Sequence, residues 1–129
     1  MMKQQAEIRE LKVNRYVIID EEPCKITDIQ TSKPGKHGEA KARIEAVGIF
    51  DNRKRSIVHP VTHKVYIPMI DKRSAQLVAL NGKHAQLMDM DTYEMFELDI
   101  DDEELLPQLS EGKEVLFLEA LGRRKITRP

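Results

Sequence analysis

Between residues 39 and 46 the chain alternates strictly. Ala40, Ala42, Ile44 and Ala46 are apolar, whereas Glu39, Lys41, Arg43 and Glu45 are charged. A period of two belongs to a strand with one dry face and one wet face, and it excludes an amphipathic helix here. The style recurs along the first half. Tyr16-Val17-Ile18-Ile19 is a mostly β-branched run closed by Asp20-Glu21-Glu22-Pro23, and residues 24–32 read as the next strand. Ser56-Ile57-Val58 and Val65-Tyr66-Ile67 supply two more, with breaks at Asp51-Asn52, Pro60 and Pro68. Five short strands in about 55 residues, with no convincing helix among them, predict a small barrel.

The second half predicts a different barrel. Ala75-Gln76-Leu77-Val78-Ala79-Leu80 meets Asn81-Gly82 and then His84-Ala85-Gln86-Leu87-Met88. Asn-Gly between two apolar runs is a hairpin signal, because both residues tolerate positive φ. Met95-Phe96-Glu97-Leu98 follows as a third strand. Asp101-Asp102-Glu103-Glu104-Leu105-Leu106 then resembles a short helix start, with acids suited to the N-terminal dipole and Pro107 expected to stop it. Residues 114–120 and 124–127 complete a five-strand set with one short helix between strands three and four, the order of an OB-fold. The expected architecture is all-β, with two barrels of about 60 residues each, near the lower limit for a self-sufficient core. The boundaries are 1–69 and 70–129, with Pro68 opening the joint.

Composition removes several classes. The 129 residues are 40% hydrophobic and 33% charged, enough apolar surface for a fold without a surplus, which rules out a disordered charged tail as a description of the whole. No apolar run approaches the roughly 20 residues a helical span requires. The polar opening residues carry no signal-peptide core, and Cys24 stands alone, so no internal disulfide is expected and the chain reads as a soluble cytoplasmic protein. The net charge of −1 conceals an asymmetry. Residues 1–68 hold 13 Lys/Arg against 9 Asp/Glu, whereas residues 69–129 hold 8 against 13. Such a division suggests that one half seeks a polyanion and the other avoids it, although chance scatter gives the same counts.

The stretch Thr31-Ser32-Lys33-Pro34-Gly35-Lys36-His37-Gly38-Glu39-Ala40-Lys41 joins two expected strands and is therefore the tip of a long hairpin. Pro34 presets φ, Gly35 and Gly38 permit backbone angles other residues avoid, and Lys36 stands at the end. By local physics alone this is a weak signal, and a plain solvated turn fits it too. A phosphate-binding loop does not fit: such a loop needs Ser or Thr after the lysine and opens a helix, whereas His37 and a strand follow here. Other candidates are slighter. Arg53-Lys54-Arg55 and Arg123-Arg124-Lys125 are compact basic clusters. His59 and His63 lie four apart without a third ligand, so no metal site is expected. The run from Asp99 to Glu104 reads as a solvated helix start. Three Tyr, three Phe and no Trp leave few platforms for base stacking. No paired acid and base suggests catalysis, so no enzyme and no catalytic residue is expected.

The run from Thr31 to Lys41, continued by Ala42-Arg43-Ile44-Glu45-Ala46-Val47-Gly48-Ile49-Phe50-Asp51, resembles the translation initiation factor 5A family, most of all its archaeal form. The likeness extends through Lys54-Arg55-Ser56-Ile57-Val58, Ala85-Gln86-Leu87-Met88-Asp89 and Glu119-Ala120-Leu121-Gly122-Arg123-Arg124-Lys125-Ile126, and is weakest before Tyr16. The resemblance implies an SH3-like barrel followed by an OB-fold, and kinship with bacterial elongation factor P. It implies that Lys36 is converted to deoxyhypusine or hypusine by deoxyhypusine synthase, with an aminobutyl group taken from spermidine and no other cofactor. It implies binding to the ribosome near the exit site, where the modified side chain meets peptidyl-tRNA and assists proline-rich peptide bonds and termination. Pro34, Gly35, His37 and Gly38 would shape the tip. Lys33, Lys41, Arg43, Arg53, Lys54 and Arg55 would add RNA contacts, each with a solvated surface residue as the plainer alternative. Pro34 agrees with the archaeal form. Glu39 stands where eukaryotic relatives usually have histidine, so that histidine's contacts do not transfer. The competing class is a general RNA-binding module of two barrels with no role at the peptidyl-transferase centre.

Overall fold

In the computed structural model, residues 3–33 and 39–129 are described. The chain is all-β, built of curled antiparallel sheets, and divides into two compact units, Met1–Met69 and Ile70–Pro129.

The first unit holds β1 (Lys3–Glu7), a 3-10 turn (Ile8–Glu10), β2 (Tyr16–Ile19), β3 (Glu22–Ser32), β4 (Lys41–Gly48), β5 (Lys54–Pro60) and β6 (Lys64–Pro68). One sheet runs β2-β3-β4-β5 and a second pairs β1 with β6. The alternation that predicted β4 is realised: Ala42, Ile44, Ala46 and Gly48 are buried, while Lys41 and Arg43 are exposed. Ala42, Ile44 and Ala46 join Ile8, Leu11, Val17, Ile19, Cys24 and Ile26 in the core. A bulge between Ile26 and Asp28 interrupts the β3–β4 ladder. Bulges bend a strand and strengthen its twist, and the residues beyond this one, Gln30 to Ser32, are exposed.

Two local expectations are corrected here. Pro23 does not close a strand but lies buried inside β3, opposite Ile18, and its carbonyl accepts the Ile49 N–H at 2.9 Å. A strand's start tolerates proline because one missing donor there costs little. The turn is the first half of the expected break, Asp20-Glu21, with φ of 53° and 65° at two non-glycine residues. β1 and the 3-10 turn went unexpected because Lys3-Gln4-Gln5-Ala6-Glu7 is almost wholly polar. Its strand character comes from pairing with β6, from Lys3–Pro68 to Glu7–Lys64.

The second unit holds β7 (Asp71–Asn81), β8 (His84–Asp89), β9 (Met95–Asp99), a 3-10 turn (Leu106–Gln108), β10 (Glu114–Ala120) and β11 (Arg123–Arg128). Its sheet order, β11-β10-β7-β8-β9, places the first strand between the second and the fourth, as an OB barrel requires. Phe96 and Phe117 meet at 5.1 Å between ring centroids in a core with Leu77, Leu87, Val115 and Ile126. The hairpin at Asn81-Gly82 forms one residue later than expected. Asn81 pairs with His84 as the last rung of the ladder, and Gly82-Lys83 make the turn with φ of 61° at Gly82. The expected helix is also displaced. Asp102 does cap a turn, accepting the N–H groups of Glu104 and Leu105 at 3.0 and 3.2 Å, but only a single 3-10 turn follows. Pro107 sits inside it rather than ending it, since first-turn N–H groups have no helical acceptor to lose.

Candidate functional site

The hairpin β3–β4 is paired as far as Ser32 and Lys41, and β5 flanks the same end with Pro60 opposite Lys41. The expected tip residues Pro34, Gly35, Lys36, His37 and Gly38 lie outside the described residues. The two arms that lead to them are described. Lys33 and Lys41 are exposed, one on each arm. Arg43, also exposed, makes an open ion pair with Glu45 at 3.4 Å, a contact that solvent screens and that leaves the guanidinium accessible. On the returning arm, the Ala40 carbonyl accepts the Val61 N–H at 2.9 Å, and the Glu39 carboxylate accepts the Thr62 hydroxyl at 3.0 Å. The arm is thus tied to the turn between β5 and β6.

The basic cluster at residues 53–55 separates into two kinds of side chain. Arg53 and Lys54 are exposed. Arg55 is mostly covered, and its guanidinium donates twice to the Asp51 carboxylate, at 3.1 and 2.8 Å. Asp51 also accepts the Arg53 N–H at 3.0 Å. The hydrogen bonds from Arg55 and Arg53 hold the Asp51 carboxyl far below the usual carboxylate range, and Asp51 in turn raises Arg55. Gly48 makes room for this pair: a Cβ there would lie 2.0 Å from an Asp51 oxygen and 2.8 Å from an Arg55 nitrogen. Arg55 therefore holds the β4–β5 connection, and of the cluster only Arg53 and Lys54 face solvent. The spacing of Asp51 and Arg55, four residues with a turn between, was the available sequence signal for this pairing. The Cys24 thiol is fully buried and donates to the Glu22 carbonyl at 3.3 Å; burial pushes its pKa up against the lowering influence of Arg55.

The remaining candidates have local roles. His59 and His63 stack face to face, with centroids 3.9 Å apart and planes at 11°, and burial with the neighbouring ring lowers the His59 pKa. Among the described residues no group of three or more His, Cys, Asp or Glu is placed to hold a metal ion. Arg124 bonds Glu119 at 3.3 Å and Glu94 at 3.2 Å and lies 4.5 Å above the Phe96 ring, so it knits β11 to the barrel. No helix among the described residues is long and apolar enough to cross a membrane.

An all-β chain whose exposed hairpin carries cationic arms has the architecture of a two-barrel factor, and the comparisons identify which. Residues 3–63 match the family model described as translation initiation factor 5A-like, N-terminal. Translation initiation factor 5A of Methanothermobacter thermautotrophicus is 62% identical over 99% of this chain and 98% of its own. That of Archaeoglobus fulgidus is 57% identical over 98% of both chains. The solved structure of eukaryotic translation initiation factor 5A from Methanococcus jannaschii superposes with a TM-score of 0.88 at 45% identity, covering 99% of this chain and 97% of that one. The chain belongs to the translation initiation factor 5A family. These relatives are named as translation factors and not as enzymes.

Proposed function

We propose that this chain acts on the ribosome through a (deoxy)hypusine-modified Lys36, held at the end of the β3–β4 hairpin against the acceptor end of the peptidyl-tRNA near the exit site. The observation that carries the reading is the hairpin itself. The family motif at residues 31–41 sits on two strands whose exposed arms present Lys33, Lys41 and Arg43. A lysine with an ordinary pKa of about 10.4 brings one positive charge at neutral pH. Deoxyhypusine synthase would lengthen it by an aminobutyl group from spermidine and add a second amine. A long dication on a narrow support suits phosphate and sugar oxygens, contacts that position a nucleic acid without reading its sequence.

Proline is a constrained donor and a poor nucleophile at the peptidyl-transferase centre, so reactive geometries are sampled rarely. Holding the tRNA end in place would recover rate through orientation, with no general acid or base supplied by this chain. The same grip would assist termination. The test uses the modified protein and its Lys36→Arg variant on a proline-rich reporter in a reconstituted translation system. The variant keeps a single charge and its fold, and rescue should fall to the level without factor. Equal rescue by the variant would refute the reading and return the chain to the class of general RNA-binding modules, for which Arg is nearly as good as Lys. Intact mass of the protein from its native host, with fragmentation of the peptide containing Lys36, should show an aminobutyl-sized increment.

A further inference from the structure

We infer that the turn between β5 and β6 is a strut for the lysine-bearing hairpin, and that the Thr62–Glu39 hydrogen bond is its adjustable contact, a positioning pair for the returning arm. The inference rests on the proposed role of Lys36. The last β3–β4 rung is Ser32–Lys41, so a connection fixed only there would pivot about that rung. Two bonds prevent this beyond the ladder: Val61 N–H to the Ala40 carbonyl at 2.9 Å, and the Thr62 hydroxyl to Glu39 at 3.0 Å. The turn that supplies both donors is itself held from behind. Its Val61 carbonyl accepts the Arg9 N–H at 3.0 Å and its His63 carbonyl accepts the Ile8 N–H at 2.9 Å. His63 N–H closes the turn on the Pro60 carbonyl at 2.9 Å. Ile8 is buried in the core. A continuous path of hydrogen bonds therefore runs from the core, through the 3-10 turn and the β5–β6 turn, to an arm three residues from Lys36.

Charge supports the same assignment. Residues 31–68 hold 8 basic and 3 acidic side chains, and a carboxylate beside the tip works against phosphate binding. Glu39 is explained if its task is to accept from Thr62. Both residues are exposed, so their bond adds little to the stability of the barrel. What it fixes is direction, and orientation is what the proposed mechanism requires.

The test compares Thr62→Val, which keeps the shape and removes the donor, with Thr62→Ser, which keeps the donor. Glu39→Ala and Glu39→Gln do the same for the acceptor. All are compared at equal Lys36 modification, read by intact mass, on the proline-rich reporter. Thr62→Val and Glu39→Ala should lower the maximal rate about three- to tenfold, the scale of one orienting hydrogen bond in solvent. Melting temperature should stay unchanged; half-saturating factor concentration should stay unchanged in Thr62→Val and should not rise in the Glu39 variants, which lose a carboxylate beside the tip. Thr62→Ser and Glu39→Gln should keep the wild-type maximal rate. A second readout does not depend on translation: amide hydrogen exchange at Val61, whose N–H donates to the Ala40 carbonyl, should accelerate in Thr62→Val while Ile44 stays protected.

Normal rates in Thr62→Val beside an active wild type would overturn the inference and leave the proposed function standing. So would unchanged exchange, or a loss in Thr62→Ser as deep as in Thr62→Val. A wild-type factor that is modified yet gives no rescue would overturn the functional reading itself, and the inference with it.

Discussion

At Asp20 and Glu21 two ordinary side chains occupy the left-handed region, φ of 53° and 65°, and close the β2–β3 hairpin without glycine. Each such residue bears a steric cost of roughly 1–2 kcal/mol that glycine escapes. Glycine would return part of that gain through the greater freedom of its unfolded chain. Glu21→Gly should therefore stabilise the protein by about 0.5–1 kcal/mol, seen as a higher urea midpoint with an unchanged slope. A lower midpoint would mean that the exposed Glu21 side chain contributes more than its backbone costs. The same residues show the limit of reading turns from composition. The expected break, Asp20-Glu21-Glu22-Pro23, contains the turn but overshoots it: two acids make the turn, while Glu22 and the conspicuous Pro23 already belong to β3. Asn81-Gly82 is the converse. Its hairpin is legible, but the register shifts by one because Asn81 gains a ladder partner in His84.

Among the described residues Asp89 is the buried charged residue, and it ties three elements of the second barrel together. At the end of β8 it accepts Arg73 of β7 at 2.8 and 3.0 Å and the N–H groups of Asp91 and Thr92 at 2.8 and 3.3 Å; Arg73 also binds Glu119 of β10 at 3.0 Å. Burial alone would raise the Asp89 pKa, but the two N–H groups and Arg73 outweigh it and hold it below the ordinary carboxylate value. A carboxyl depressed in the folded state adds stability that is complete above its unfolded pKa of about 3.9 and is lost as pH falls through the folded value. Asp89→Ala should cost about 3 kcal/mol at pH 7, because it leaves a covered guanidinium and two N–H groups short of an acceptor. The gap between wild type and variant in urea unfolding should narrow as pH falls below about 4. A gap independent of pH would assign the loss to packing instead. Elements differed in how much of this was legible. β4 announced itself by alternation, and the motif at residues 31–41 marked the candidate site. The strut behind that site did not, because Ile8, Arg9, Val61 and Thr62 meet it through backbone groups and one hydroxyl that carry no pattern along the chain. Arg55 and Arg124 looked like free surface charge for the same reason: their acids stand a turn or several strands away.

Across the whole chain the charge division coincides with the two units, 13 basic against 9 acidic side chains in Met1–Met69 and 8 against 13 in Ile70–Pro129. The placement of the acids makes this division informative. The face that OB barrels turn toward nucleic acid lies on their second and third strands, here β8 and β9. Its outward residues include His84, Gln86, Met95, Glu97 and Asp99, and the acids are engaged there: His84 with Asp99 at 2.9 Å, Gln86 with Glu97 at 3.2 Å. The hydrogen bonds of His84 to Asp99 and Glu97 raise its pKa, so the imidazole of this cluster is engaged by its neighbours. The surface has neither the aromatic platforms nor the free positive charge that single strands require. Under the proposed function, phosphate contact is accordingly assigned to the exposed cations of the first barrel, Lys33, Lys41, Arg43, Arg53 and Lys54. Reversing the face tests this division. The double variant Glu97→Lys, Asp99→Lys should bind nonspecific single-stranded RNA more tightly than the wild type, with a plot of log K against log salt steeper by about 1.4, roughly 0.7 for each phosphate newly neutralised. Lys33→Glu with Arg43→Glu should weaken binding and flatten the same plot. If the double lysine variant left both affinity and slope unchanged, charge on β8 and β9 would not be what keeps RNA from the second barrel, and the shape of that face would have to be the cause.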